Sequence, residues 1–128
     1  MGQEEEVTEI TVDVWLYGAL ATYGGEANRG SFANLQIRLP EGSTLATLLD
    51  ILKMRTEERS ITFINGKLSA MPGLQPDLDH VLRNGDRVAF FDPKSMWPFQ
   101  YRQGAALTEE MARAMVSEKG YGLRHTFS

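Results

Sequence analysis

Asp77, Asp79 and His80 lie within a four-residue window, and two carboxylates beside an imidazole are groups able to ligate a divalent cation or pass a proton. The window falls in the stretch from Met71 to Leu82, which Pro72, Gly73 and Pro76 interrupt, so neither helix nor strand periodicity fans the three side chains toward one point. A further ligand at a matching spacing is missing. Aspartates in such a loop form turns and face water more often than they bind metal, and a solvated turn is the expectation. His80 has no carboxylate at a spacing that would make it a general base, and neither has His125 near the end of the sequence. Cysteine is absent, which removes disulfides, thiolate ligands and a thiol nucleophile. No Ser-His-Asp order, phosphate-cradling glycine loop or zinc spacing occurs. These patterns predict a protein that is not an enzyme and that carries no catalytic residue, metal or cofactor of its own.

Residues suited to contact are better represented. Met96, Trp97, Phe99 and Tyr101 fall close together, and aromatic and Met side chains are common anchors of protein interfaces. Downstream, Leu107, Met111 and Met115 with Ala112 and Val116 form an apolar stripe at helical spacing. Thr108 is placed as its N-cap, Glu109 and Glu110 sit at its positive end, and Lys119-Gly120 reads as its C-terminus. This amphipathic helix either packs on the chain's own fold or docks on another protein. Self-packing is preferred for the helix, and the two readings are balanced for residues 96–101. Nucleic acid is an unsuitable partner, because the formal charge is −4 and the thirteen Lys and Arg residues are scattered. No apolar run approaches the roughly 20 residues that span a bilayer, and Met1 to Glu6 is acidic where a secretory signal is basic and then apolar. A cytoplasmic protein without a membrane partner is expected, with Glu4-Glu5-Glu6 in a solvated acidic tail over residues 1–7.

The elements that must position these residues follow from a change of period along the chain. Ile10, Val12, Val14 and Leu16 alternate with Thr11, Asp13, Trp15 and Tyr17, as in a strand with one face on a core. Gly18 to Asn34, with Gly24-Gly25 and Gly30, reads as a loop with a short helical turn near Ala19 to Tyr23. Leu35, Ile37 and Leu39 mark a second strand with Gln36 and Arg38 outward. Leu45, Leu48, Leu49 and Leu52 form one helical stripe, capped by Ser43 or Thr44. Ile61 to Ile64 is a short strand, and Asn65-Gly66 is a turn dipeptide tolerating positive φ at both positions before Lys67-Leu68. After the connection ending at Leu82, Asn84-Gly85-Asp86 turns into a last strand in which Val88 and Phe90 face one way and Arg87, Ala89 and Phe91 the other. The order predicts an α+β fold, a mixed four- to five-stranded sheet with one crossing helix. The opposite sheet face would carry Trp15, Tyr17 and Phe91, and large aromatics there call for a cover.

Four segments carry a family resemblance: Leu16-Tyr17-Gly18-Ala19-Leu20, Leu39 to Leu45 (LPEGSTL), Ile64-Asn65-Gly66, and Asn84 to Phe91 (NGDRVAFF). Each alone is weak, but together and in this order the chain resembles the ubiquitin-like sulfur carriers of the ThiS and MoaD type over about its first three quarters. The resemblance implies a β-grasp domain over residues 8–95, followed by an aromatic linker and helix over 96–128. It also implies a carboxyl-terminal reaction in place of an active site. In the family, an E1-like enzyme adenylates a terminal Gly-Gly carboxylate, and sulfur then gives a thiocarboxylate used in thiamin or molybdopterin synthesis. Glycines suit a thread that enters a narrow channel extended, because nothing projects from the backbone.

Here Met96-Trp97-Pro98 follows the last strand where the resemblance would put the glycines, and the sequence continues to Ser128. Bulky side chains and the fixed φ of Pro98 do not suit such a thread. The one adjacent pair, Gly24-Gly25, lies in the first loop, where a turn explains it better. The expected role is that of a noncovalent accessory or subunit acting by protein contact near sulfur-transfer or molybdenum/tungsten pterin chemistry. The resemblance makes an E1-like enzyme or a pterin or metal enzyme its partner and leaves a homo-oligomer open. The alternative expectation is a sulfur carrier activated at a processed C-terminus.

Overall fold

A computed structural model describes residues 8–95 and 106–116. Five strands form one mixed sheet: β1 (Glu9–Tyr17), β2 (Phe32–Pro40), β3 (Thr62–Ile64), β4 (Lys67–Ala70) and β5 (Arg87–Phe91), in the spatial order β2-β1-β5-β3-β4. The central pair β1 and β5 is parallel, and the other neighbours are antiparallel. Helix α1 (Leu45–Leu52) crosses between β2 and β3, so the architecture is the α+β, ubiquitin-like β-grasp.

Alternation in β1 decides which side is the main core. Val12, Val14 and Leu16 are fully buried, and with Leu39, Val88 and Phe90 they meet Leu45, Leu48 and Leu49 of α1. Helix α1 starts at Thr44, whose hydroxyl accepts from the Thr47 N–H while the Thr47 hydroxyl accepts from the Thr44 N–H. Of the two cap candidates, Ser43 instead donates to the Pro40 carbonyl at 2.6 Å. The helix stops at Lys53, which adopts φ 62.

The structure differs from the sequence reading in the first connection. Gly18–Ala27 is wound into 3-10 turns, and β2 begins at Phe32, inside the span read as loop. Gly24-Gly25 shapes this segment. A Cβ on Gly24 would stand 2.5 Å from the Ala33 Cβ, and Gly25 has φ +58 at the kink between two helical turns. At the other end of the domain, Asn65 and Gly66 take φ 53 and 80 and join β3 to β4.

The connection before β5 also departs from expectation. Asp77 is not solvated: its side chain is fully buried against Arg59, with Oδ1 2.7 Å from Nη2 and Oδ2 2.8 Å from Nη1. The Ser69 hydroxyl donates to Asp77 at 2.8 Å, and Arg59 also reaches Thr62 at 3.1 Å. Arg59 lies over the Phe90 ring at 5.9 Å. This bidentate pair, with its remaining polar atoms also partnered, clamps the loop onto β3 and β4.

A second helix, α2, runs over residues 109–116. Thr108 caps it by accepting from the Met111 N–H at 3.2 Å. No helix of the described residues is long and apolar enough to cross a membrane.

Candidate functional site

The second face of the sheet, opposite α1, is where the odd-numbered residues of β1 and β5 project. Tyr17 and Phe91 stack with centroids 4.6 Å apart, Trp15 stacks on Tyr17 at 6.1 Å and on Phe32 at 5.9 Å, and Phe63 meets Phe91 edge-on at 6.1 Å. Rings from four strands thus form one row, because cross-strand neighbours on one face lie within reach of aromatic side chains. Met111 is fully buried on this row. With Ile61, Leu68 and Phe91 it forms a second core, joined by the partly buried Tyr17, Phe63, Leu107 and Met115.

The polypeptide reaches this position across the far edge of the sheet. The Leu68 N–H donates to the Ala106 carbonyl at 2.7 Å, and the Thr108 N–H donates to the Leu68 carbonyl at 3.1 Å, making a parallel bridge between Leu68 and Leu107. Edge strand β4 is thereby closed by the chain's own later residues. The end of β5 is held as well. The Phe91 N–H donates to the Ile61 carbonyl at 3.0 Å, and its own carbonyl accepts from the Ser60 N–H at 2.7 Å. Next to it, the Asp92 carboxylate accepts from the Ala19 N–H at 2.7 Å.

His80 joins α2 to the domain. Its Nδ1 lies 3.0 and 3.1 Å from the two carboxylate oxygens of Glu110, and both side chains are about three-quarters buried, at 23% and 24% exposure. Burial works to raise the Glu110 carboxyl, but the His80 hydrogen bond, a backbone bond and the charges of His80 and Arg113 together hold it below its ordinary value of 4.5. A carboxyl depressed on folding stabilises at pH above its ordinary value, and that contribution is lost as pH falls through the depressed value. Glu110→Gln is therefore expected to speed amide exchange in residues 109–116 relative to wild type at pH 6, with the difference shrinking as the pH is lowered through the depressed value of the carboxyl. Equal exchange at pH 6 would remove the clasp from the account.

A polar sector borders the aromatic row. The Asp13 carboxylate accepts from Asn34 and Gln36 at 2.7 Å each, from the Trp15 indole at 3.1 Å and from Arg87 at 3.3 Å. Burial pushes its carboxyl up, and these donors more than offset that, leaving it below its ordinary value. This hub holds the Trp15 ring at the rim of the row.

The structure separates the first candidate cluster. Asp77 turns inward to Arg59, Asp79 is exposed, and His80 turns to Glu110, so the three do not converge on one cation. The carboxylate that sequence spacing could not supply to His80 comes from thirty positions away. Trp15, Tyr17 and Phe91 do share one face, and Met111 and Met115 of α2 pack on it. Met96, Trp97, Phe99 and Tyr101 lie outside the described residues, as do His125 and Lys119-Gly120. Arg59 and Asp13 went unread as anchors; the only signals were a charge next to an apolar strand and an acid among outward aromatics.

Residues 22–95 match the family described as the ThiS family. No curated protein matches the chain.

Proposed function

We propose, from the premise that the chain belongs to the ThiS family of ubiquitin-like sulfur carriers, that this member works by noncovalent protein contact as an accessory or subunit and does not offer a thread for activation. Proteins of this family act with partners such as E1-like enzymes, and the partner here is taken to be of that kind or a pterin or metal enzyme. The observation that carries the reading is the return of the chain after β5. Ala106, Leu107 and Thr108 bond along the β4 edge, and Met111 is buried on Phe91, so the described residues from Ala106 onward lie back on the sheet. A carrier tail has to leave its domain and extend into another enzyme. Met96-Trp97-Pro98, in place of glycines, supports the same reading from side-chain bulk.

Incubation with an E1-like enzyme, ATP and a sulfur donor, followed by intact-mass measurement, tests it. No change in mass is expected. A cleaved species heavier by about sixteen mass units, the exchange of one carboxylate oxygen for sulfur after activation, would instead establish carriage at a processed terminus.

A further inference from the structure

The two edges of the sheet are treated differently, and the geometry points to β2 as a self-complementary edge through which two copies of this chain pair. Edge β4 has four residues, carries Lys67 and is bridged by Leu107. Edge β2 has nine residues and runs against β1 in one-to-one register without a bulge, from Glu9 opposite Pro40 to Tyr17 opposite Phe32. It has no lysine and no internal proline, and Ala33, Leu35, Ile37 and Leu39 face the main core. Among the described residues, Arg38 is the one charged side chain along it, and neither a bulge nor a covering segment blocks its central stretch.

The open backbone groups can be read from the ladder. The Glu41 N–H bonds the Thr8 carbonyl and the Gly18 N–H bonds the Ser31 carbonyl, each at 2.8 Å, so the hydrogen-bonded pairs between them are those of Leu39, Ile37, Leu35 and Ala33. The backbone groups of Gln36 and Arg38, and the Asn34 carbonyl, consequently point away from β1. The stretch has defined ends. On one side the Phe32 carbonyl accepts from Arg29 and Asn28 bridges Ala33; on the other Pro40 has no N–H and its carbonyl accepts from Ser43.

An antiparallel pairing with its two-fold axis at Gln36 uses all of these groups except the Arg38 carbonyl. Gln36 exchanges both bonds with its counterpart, and the Arg38 N–H of each copy meets the Asn34 carbonyl of the other. Shifting the register by two residues would bring the two Arg38 side chains to diagonal neighbours, whereas the axis at Gln36 sets each Arg38 opposite an Asn34 and keeps the charges apart. The same register lays Pro40 of one copy beside Phe32 of the other, extending the row in which Phe32 stacks on Trp15. A two-fold contact of this kind is closed, giving a dimer with a continuous sheet and no further growth. An unrelated extended peptide would gain the backbone bonds but not this matching of ends and charges.

Sedimentation across a concentration series, with amide exchange at each concentration, tests the pairing on the full chain. Wild type is expected to dimerise, with Gln36 and Arg38 amides gaining protection as concentration rises while Ile37 is protected throughout. Gln36→Lys sets two like charges face to face on the axis. Gln36→Pro removes both axial N–H donors at a position where the monomer does not use that N–H. Each is expected to weaken the dimer, the proline by roughly tenfold or more for two lost hydrogen bonds, with the circular dichroism of the monomer unchanged. A wild type that stays monomeric overturns the pairing, even if it captures a strand from another protein. So does a dimer that survives both substitutions or leaves the Gln36 and Arg38 amides unprotected.

Discussion

Asp77→Ala is expected to lower folding stability by about 3–5 kcal/mol, the usual cost of stranding one member of a buried ion pair. Arg59 and Asp77 both have side chains with 0% exposure, so water cannot take over the lost bonds of the guanidinium. The Ser69 hydroxyl would lose its shorter bond in the same substitution and keep only the Thr62 carbonyl at 3.3 Å. Urea unfolding of the variant beside Asp79→Ala measures the effect. Asp79 is exposed, and its replacement should fall within about 0.5 kcal/mol of wild type. Two variants of equal stability would mean that the Arg59 charge finds compensation elsewhere. Replacing Arg59 and Asp77 together by apolar residues of similar volume should recover much of the loss, because the cost lies in an unpaired charge and not in the absence of a pair.

The second large effect is expected from ending the chain at Ser95. That change removes Leu107, Met111 and Met115 from the second core and reopens the β4 edge at Leu68. Fully burying Met111 stabilises by about 1.5–3 kcal/mol, and the partly buried Leu107 and Met115 add less each, before the entropy of ordering the segment is subtracted. A markedly lower melting temperature or concentration-dependent association should follow, since Tyr17, Phe63 and Phe91 lose their cover. Met111→Ala separates packing from truncation. Met111 is fully buried, and its loss should cost about 2–5 kcal/mol, whereas Val116→Ala, at a site 69% exposed, should cost little. A shortened chain that melts with the full one and remains monomeric would show that α2 adds nothing to the fold, and would favour a docking role for it.

The sequence alone determined those features that depend on near neighbours. Alternation in β1, the leucine stripe of α1, the Asn65-Gly66 turn and the Thr108 cap are readable because pleat, helical turn and cap each span a few residues. Together with four short segments in the right order, they made the family legible and placed Trp15, Tyr17 and Phe91 on one face. Tertiary structure alone decided which groups meet across the chain. Arg59 and Asp77 are eighteen positions apart, His80 and Glu110 thirty, and Thr108 and Leu68 forty. No periodicity encodes such pairs, because a charge is tolerated in the interior only where folding brings its partner, and that partner is chosen by the path of the chain. For that reason a loop aspartate read as solvated became a buried anchor, a histidine read as solitary gained a carboxylate, and an amphipathic stripe with two destinations came to rest on the chain's own sheet.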